Sequence, residues 1–305
     1  MKTYLDCLPC LMSQALKAAR AATDDEEVQR QVVNAVAAMI PELSLGLKPP
    51  EIAQRGYRLI SQITGNRDPF RKAKVDANHT ALALWPQLKQ LVEQSADRLF
   101  TACRLAILAN SIDFGPNFEH GSIEAIIDEA RMCSIPLAVD NYDQFWSSLK
   151  NSRSLLYLGD NAGEIVFDRL LIEEIHRVKE LETYFVVREK PVINDVTMDD
   201  ALAVGIDRVA KVVSNGSDAP ATILSQCSAE LQQLFRSADI IIAKGQGNYE
   251  SLDAEPGNIF FLLRVKCPVL AVLLGVQVGG AVLYSTALEV IGQEVTDGVR
   301  EVCLS

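Results

Sequence analysis

The stretch that most restricts how this chain can fold is Leu155–Glu174, reading LLYLGDNAGEIVFDRLLIEE. Residues 155–159 form an uncharged, mainly apolar run. GDNAGE follows over 159–164, and then Ile165, Val166, Leu170, Leu171 and Ile175 recur at helical spacing. This is the pattern of a buried strand, a tight turn and an amphipathic helix. In an open parallel sheet such a turn lies at the carboxyl edge of its strand, where ligands bind. The turn sets Asp160 beside Asn161. A carboxylate and an amide oxygen are hard donors suited to a divalent cation such as Mg²⁺ or Mn²⁺. Either residue also serves as an ordinary helix cap, the alternative reading of the same turn.

The pattern repeats downstream. Strands are predicted at Leu137–Val139, Ser154–Leu158, Thr183–Val187, Ala210–Val213, Asp239–Ala243, Ile259–Leu263 and Val269–Leu273, with helices over 163–180, 219–236 and 285–298. Alternation of this kind gives a mostly parallel sheet covered by helices on both faces, an α/β fold. Residues 1–100 read differently. Helical stripes follow Pro9, span Val28–Ile40, follow Pro49–Pro50 as far as Gly65, and run from Asn78 to Val92, with no strand among them. A further helix from Asp97 to Leu108 runs into NSIDFG (110–115), and another spans Ser122–Cys133. The expected organisation is a helical domain over 1–100 and an α/β/α domain over 101–305.

The formal net charge of −11 disfavours nucleic acid and anionic membrane as partners, and requires a local positive site for any anionic substrate. The most apolar segment, Ile259–Tyr284, is broken by Arg264, Lys266 and Pro268 and reads as strands rather than a membrane span. With no secretory pattern at the start, the seven cysteines are expected to be reduced thiols of a cytoplasmic protein. Cys7 and Cys10 form one CxxC, but no second pair completes a four-coordinate zinc site. His79, His120 and His176 fit no catalytic pattern.

Four predicted strands end in polar loops on one edge of the sheet: GDNAGE, REKPVINDVTMDDA (188–201), SNGSDAPAT (214–222) and KGQGNYESL (244–252). One-sided placement marks an active-site rim. Asp195 is a candidate third metal ligand beside Asp160 and Asn161, or else part of an Asx turn after Pro191. The backbone amides of Asn215, Gly216 and Ser217 are candidates to cradle a phosphate, and the competing reading is a strand-to-helix loop capped by Ser217 or Asp218. Lys244 is expected to neutralise a phosphoryl oxygen, with Gly245 and Asn248 beside it as substrate contacts; the bland reading is a solvated lysine in a turn. Asn110 and Asp113 of NSIDFG are expected to close the site from the helical side.

GDNAGE, NDVTMDD, NGSDAPAT and KGQGNYESL, in that order, resemble the DUF89 (ARMT1-like) family of metal-dependent damage-control phosphatases. NSIDFG, the Asp68–Lys74 segment and the Cys7/Cys10 pair resemble its prokaryotic branch. The resemblance covers nearly the whole chain. It implies N-terminal helices packed on a three-layer, Rossmann-like α/β/α domain. It also implies hydrolysis of small phosphorylated metabolites, sugar phosphates among them, with one divalent ion (Mn²⁺, Co²⁺, Ni²⁺ or Mg²⁺) on Asp160, Asn161 and Asp195. Asp160 and Lys244 are then the expected catalytic pair. One departure is Ala221, where relatives often carry glycine. The competing readings are an S-adenosylmethionine-dependent methyltransferase and a non-catalytic metal- or phosphate-binding protein. A nucleotide loop wants more glycines and an acid at the next strand end, where this chain has Arg188.

Overall fold

The computed structural model describes residues 1–110 and 136–286. Asp113, the expected helix over Ser122–Cys133 and the body of the one over 285–298 lie outside these residues.

Three helices come first: α1 (Cys7–Ala22), α2 (Glu26–Met39) and α3 (Pro49–Thr64). Asp25 caps α2 by accepting from the amides of Glu27 and Val28. Two prolines open α3, and Gly65 ends it in the left-handed conformation at φ +68°. The apolar faces of the three meet in a cluster of their own, around Leu11, Ala18, Val32, Val36, Ile52 and Ile60.

The next helices, α4 (Arg71–Ala83), α5 (Trp85–Glu93) and α6 (Arg98–Ala109), pack into the main core instead. Leu105, Ile107 and Ala109 of α6 share that core with Leu155, Tyr157 and Phe260 of the sheet. A division of the chain near residue 100 would cut across it.

Among the described residues the strands are β1 (Val139–Asp140), β2 (Ser154–Leu158), β3 (Glu182–Val187), β4 (Lys211–Ser214), β5 (Ile240–Lys244), β6 (Ile259–Arg264) and β7 (Ala281–Ser285). They form one sheet in the order β1-β7-β6-β5-β2-β3-β4. All neighbours are parallel except β6 and β7. The chain runs outward through β2, β3 and β4, then returns to β5 on the other side of β2. The order therefore reverses between β2 and β5, and the crevice at their carboxyl ends is where ligands bind in such sheets. The flanking helices are α7 (Tyr142–Asn151), α8 (Glu164–Val178), α9 (Met198–Ala203), α10 (Ala229–Ser237), α11 (Gly245–Leu252) and α12 (Pro268–Leu274). Helices thus cover a mostly parallel sheet, as expected.

Three local expectations are corrected. Val269–Leu273 is helix, not strand: Pro268 occupies its first turn, the Cys267 thiol accepts from the Leu270 amide at 3.4 Å, and Gly275 ends it at φ +66°. A short apolar run does not distinguish the two states by periodicity. The last strand is Ala281–Ser285, antiparallel to β6. Residues 219–228 are not a continuous helix, because their amides are committed elsewhere. Ala221 donates to Asp195, Thr222 donates to Asn248, and α10 starts only after Ser228 caps it.

Candidate metal centre

Asp160 and Asn161 leave β2 at the point where the strand order reverses, and the backbone locks them against the loop after β3. Asn161 and Asp195 form an isolated antiparallel bridge. The amide of Val196 donates to the carbonyl of Asp160 at 2.8 Å, and that of Ala162 to Asn194 at 2.9 Å. Two glycines make room. Gly159 lies against Phe185 and Val196, and a Cβ on it would meet Phe185 at 2.8 Å. Gly245, at φ +80°, lies so close to Asp160 that a Cβ would fall 1.8 Å from its Oδ2. The expectation that Gly245 touches substrate thus gives way to a role beneath Asp160.

Each of the three expected ligands has one polar atom held and one left over. Asp160 Oδ2 accepts from Asn110 Nδ2 at 3.0 Å and from Asn161 Nδ2 at 2.9 Å. Asn161 Nδ2 also donates to Glu164 Oε1 at 2.8 Å. Asp195 Oδ2 accepts from Arg188 Nε at 2.7 Å and from the Ala221 amide at 3.2 Å. Among the described residues nothing donates to the Oδ1 atoms of Asp160, Asn161 or Asp195. All three residues line a cavity of about 430 Å³. Its opposite wall comes from α1 and the start of α3, with Cys7, Cys10, Leu11 and Pro50, and Lys266 and Cys267 close the side after β6. A more open depression at Arg264 and residues 275–280 contains none of the three.

Charge is unbalanced behind this wall. Asp160, Glu164, Asp168 and Asp195 are buried carboxylates, and the buried cations among them are Lys244 and Arg188. Two formal negative charges are left over. Burial, then the charges of Glu164 and Asp195, push the Asp160 carboxyl up to about 8. Asp195 is raised by burial against the opposing pull of Arg188. Burial likewise lifts Asp168 to about 6, with Lys244 holding it down. Two carboxylates and one amide oxygen, facing a cavity in a locally anionic site, are a donor set that fits a hard divalent cation. Among the described residues no group of three or more His, Cys, Asp or Glu is arranged as a metal site, so the set depends on the Asn161 amide.

The other expected contacts stand behind the cavity wall. Lys244 is fully buried. Its Nζ donates to Asp168 Oδ1 at 2.7 Å and to the Ala106 carbonyl at 2.8 Å, and lies 3.6 Å from Glu164 Oε2. Burial opposes its charge, but Asp168 and Glu164 outweigh that cost and raise its pKa. Asn248 is spent on the fold: its Nδ2 donates to the Lys244 and Gly159 carbonyls, and its Oδ1 accepts from Thr222. The amides of Asn215, Gly216 and Ser217 are also paired, to Val187 O, Ser214 Oγ and Asn215 Oδ1 respectively. That loop reaches the cavity instead at Pro220 and Ala221. Asn110 meets the site as expected from the helical side, but through Asp160 and Glu164 rather than through the cavity.

Sequence reasoning passed over four residues that matter here. Glu164 and Asp168 are acids one helical turn apart in the otherwise apolar start of α8, a spacing that signals two buried charges on one face. Arg188 stands where a nucleotide site would carry an acid for the ribose, and its guanidinium pairs instead with Asp195. Lys266, exposed at the end of β6, is the only lysine or arginine among the described residues lining the cavity. The loop also carries strain: Ile193, a β-branched residue on the cavity wall, has φ +46°, and Ala221 has φ +67°.

The model of the damage-control phosphatase ARMT1-like domain matches residues 3–282. An uncharacterised protein of Methanocaldococcus jannaschii is 36% identical over 292 residues, 93% of this chain and 95% of that protein. A damage-control phosphatase of Archaeoglobus fulgidus is 34% identical, covering 92% of this chain and 98% of the relative. One of Pyrococcus horikoshii is 32% identical, covering 92% and 97%. The crystal structure of a DUF89 family protein from Pyrococcus horikoshii superposes with a TM-score of 0.86 at 31% identity, over 93% of this chain and 99% of that one.

Proposed function

We propose, for a chain that belongs to the damage-control phosphatase ARMT1-like family, the hydrolysis of phosphate monoesters of small metabolites, in a cavity where Asp160, Asn161 and Asp195 hold one divalent cation. The observation that carries this reading is that Asp160, Asn161 and Asp195 line one cavity with the other polar atom of each side chain already held, backed by surplus negative charge. Bound there, a cation of the Mg²⁺ or Mn²⁺ type supplies Lewis-acid stabilisation of the phosphoryl group and a lowered pKa for water.

The chain's own residues do the positioning. Arg188 and the Ala221 amide hold one oxygen of Asp195, and Asn110 and Asn161 hold one oxygen of Asp160. Holding these atoms leaves the remaining oxygens of cavity-lining side chains for the cation, with little reorganisation needed when substrate arrives. Lys266 takes over the role first expected of Lys244, pairing with a phosphoryl oxygen from the cavity side. Asp160 has Oδ2 tied to two amide donors and commits its remaining oxygen to the cation, which lowers its nucleophilicity, so water is the attacking group in this reading; the products are the alcohol and inorganic phosphate. Ordinary metabolite phosphates fit a cavity of about 430 Å³.

The test is phosphate release from a panel of sugar phosphates and other phosphomonoesters after EDTA treatment, followed by return of Mn²⁺, Co²⁺, Ni²⁺ or Mg²⁺. Release is expected only with a cation, and not from Asp160→Ala or Asp195→Ala. Phosphate release that survives chelation, or S-adenosylmethionine binding by calorimetry with no release from any ester, would overturn the reading.

A further inference from the structure

Glu164 is fully buried, yet it is neither a proposed ligand nor a cavity residue. It is surrounded by donors. Asn161 Nδ2 reaches Oε1 at 2.8 Å, Asn110 Nδ2 lies 3.0 Å from both carboxylate oxygens, and Lys244 Nζ is 3.6 Å from Oε2. Lys244 is itself pinned by Asp168, which also accepts from Tyr157 Oη at 2.8 Å, and by the Ala106 carbonyl at the end of α6. The Asn110 amide has only one available orientation, because its Oδ1 accepts from the Arg264 amide at 3.2 Å.

We infer that Glu164 is a positioning residue that fixes which way the Asn161 amide faces, presenting its carbonyl oxygen rather than its NH₂ to the cation. An asparagine side chain is pseudo-symmetric in shape, and only its hydrogen-bond partners decide its orientation. With its NH₂ held between Asp160 Oδ2 and Glu164 Oε1, Asn161 has only its oxygen left for the cavity. Turned over, it would place two hydrogens where a cation belongs and a carbonyl against two carboxylates. The residue doing this must accept on both oxygens. A glutamine at 164 would set its own NH₂ either against Lys244 and Asn110 or against Asn161 and Asn110, donor against donor in both cases. Lys244 then has a clear purpose: it makes a buried carboxylate at 164 tolerable, and Asp168 and Tyr157 hold Lys244 in place.

The inference rests on the proposed metal site, so the test has one arm that needs no metal. In EDTA-treated protein with asparagine-selective ¹⁵N labelling, both side-chain hydrogens of Asn161 are expected to exchange slowly with solvent, as hydrogen-bonded amides do. Glu164→Gln is expected to speed exchange of the hydrogen held at Glu164 Oε1. In the second arm, calorimetry with Mn²⁺ is expected to show affinity weakened by about 10–100-fold in Glu164→Gln, the scale of losing a residue that orients a ligand. Rapid exchange of the Asn161 amide in the unsubstituted protein, or protection unchanged in Glu164→Gln, would overturn the inference. So would unaltered Mn²⁺ affinity in Glu164→Gln where Asp160→Ala abolishes binding. Failure of the unsubstituted protein to take up Mn²⁺ would count against the metal site, while the exchange arm still decides the orientation of Asn161.

Discussion

Arg188 Nε donates to Asp195 Oδ2 at 2.7 Å, with both side chains buried. The pair holds one oxygen of Asp195 and frees the other, and it neutralises one charge of a crowded acidic site. Arg188→Met leaves a buried carboxylate uncompensated and is expected to cost about 3–5 kcal/mol of stability. Urea unfolding in EDTA measures this. Saturating Mn²⁺ should recover part of the loss, because the cation replaces some of the missing positive charge. A midpoint in EDTA equal to that of the unsubstituted protein would refute the charge argument.

Asp160 gives a pH dependence of definite sign. Its folded pKa is raised to about 8 by burial and by Glu164 and Asp195. A group raised in the folded state contributes stability that is fully present below its unfolded value, near 4, and lost as pH rises through about 8. Asp160→Asn removes that loss. In EDTA its Tm is expected to exceed that of the unsubstituted protein at pH 9 and to match it near pH 4. The same substitution should abolish the rise in Tm on adding Mn²⁺. A Tm difference independent of pH would sink the assignment.

Ala221 donates its amide to Asp195 from a left-handed backbone, at φ +67°. That conformation costs an alanine about 1–2 kcal/mol, while glycine there gives back roughly 0.4–1 kcal/mol through the unfolded chain. Ala221→Gly is therefore expected to stabilise by about 0.5–1 kcal/mol, with metal affinity kept. Denaturant midpoints and Mn²⁺ calorimetry check both halves.

The two lysines separate cleanly. Lys266 is exposed on the cavity wall, and Lys244 is enclosed among Asp168, Glu164 and the Ala106 carbonyl. Lys266→Ala is expected to lower kcat/KM by about 10-fold or more, the scale of one hydrogen bond to a charged group, with Tm nearly unchanged. Lys244→Met should instead act on the fold, costing about 3–5 kcal/mol by stranding two carboxylates. Steady-state kinetics and urea unfolding on both variants distinguish them, and the reverse pattern would refute the assignment.

How much was readable from sequence depends on whether each cause was local. The placement of Asp160 and Asn161 at a strand end was legible because a strand, a turn and a helix follow one another in a single stretch. The sheet was legible because its parallel strands are short apolar runs. The behaviour of Lys244 was not, because its partners lie on α8 and at the end of α6, 76 and 138 residues away in sequence. Read locally, a lysine after a strand faces solvent or ligand, and only packing showed it enclosed. The loop over 214–222 misled for a similar reason: its small residues do leave backbone amides free in principle, but Asn215 folds back to claim one of them and Asn248 and Asp195 claim two more. Residues 268–274 failed differently, since a seven-residue apolar run suits either a strand or a short helix until Pro268 and Gly275 are read as its ends.

One wall of the cavity comes from α1 and α3, whose apolar residues pack with those of α2 in a cluster separate from the core of the sheet. It is fastened to the rest through polar contacts, among them Arg58 and Gln54 on Asp218 and Lys48 on the Ser251 carbonyl. Sub-global opening follows cooperative units of this kind, so α1–α3 are expected to open before the sheet unfolds. Inactivation by urea should then precede the loss of sheet structure, and Cys7 and Cys10 should become reactive to a thiol reagent at the same urea concentration at which activity disappears.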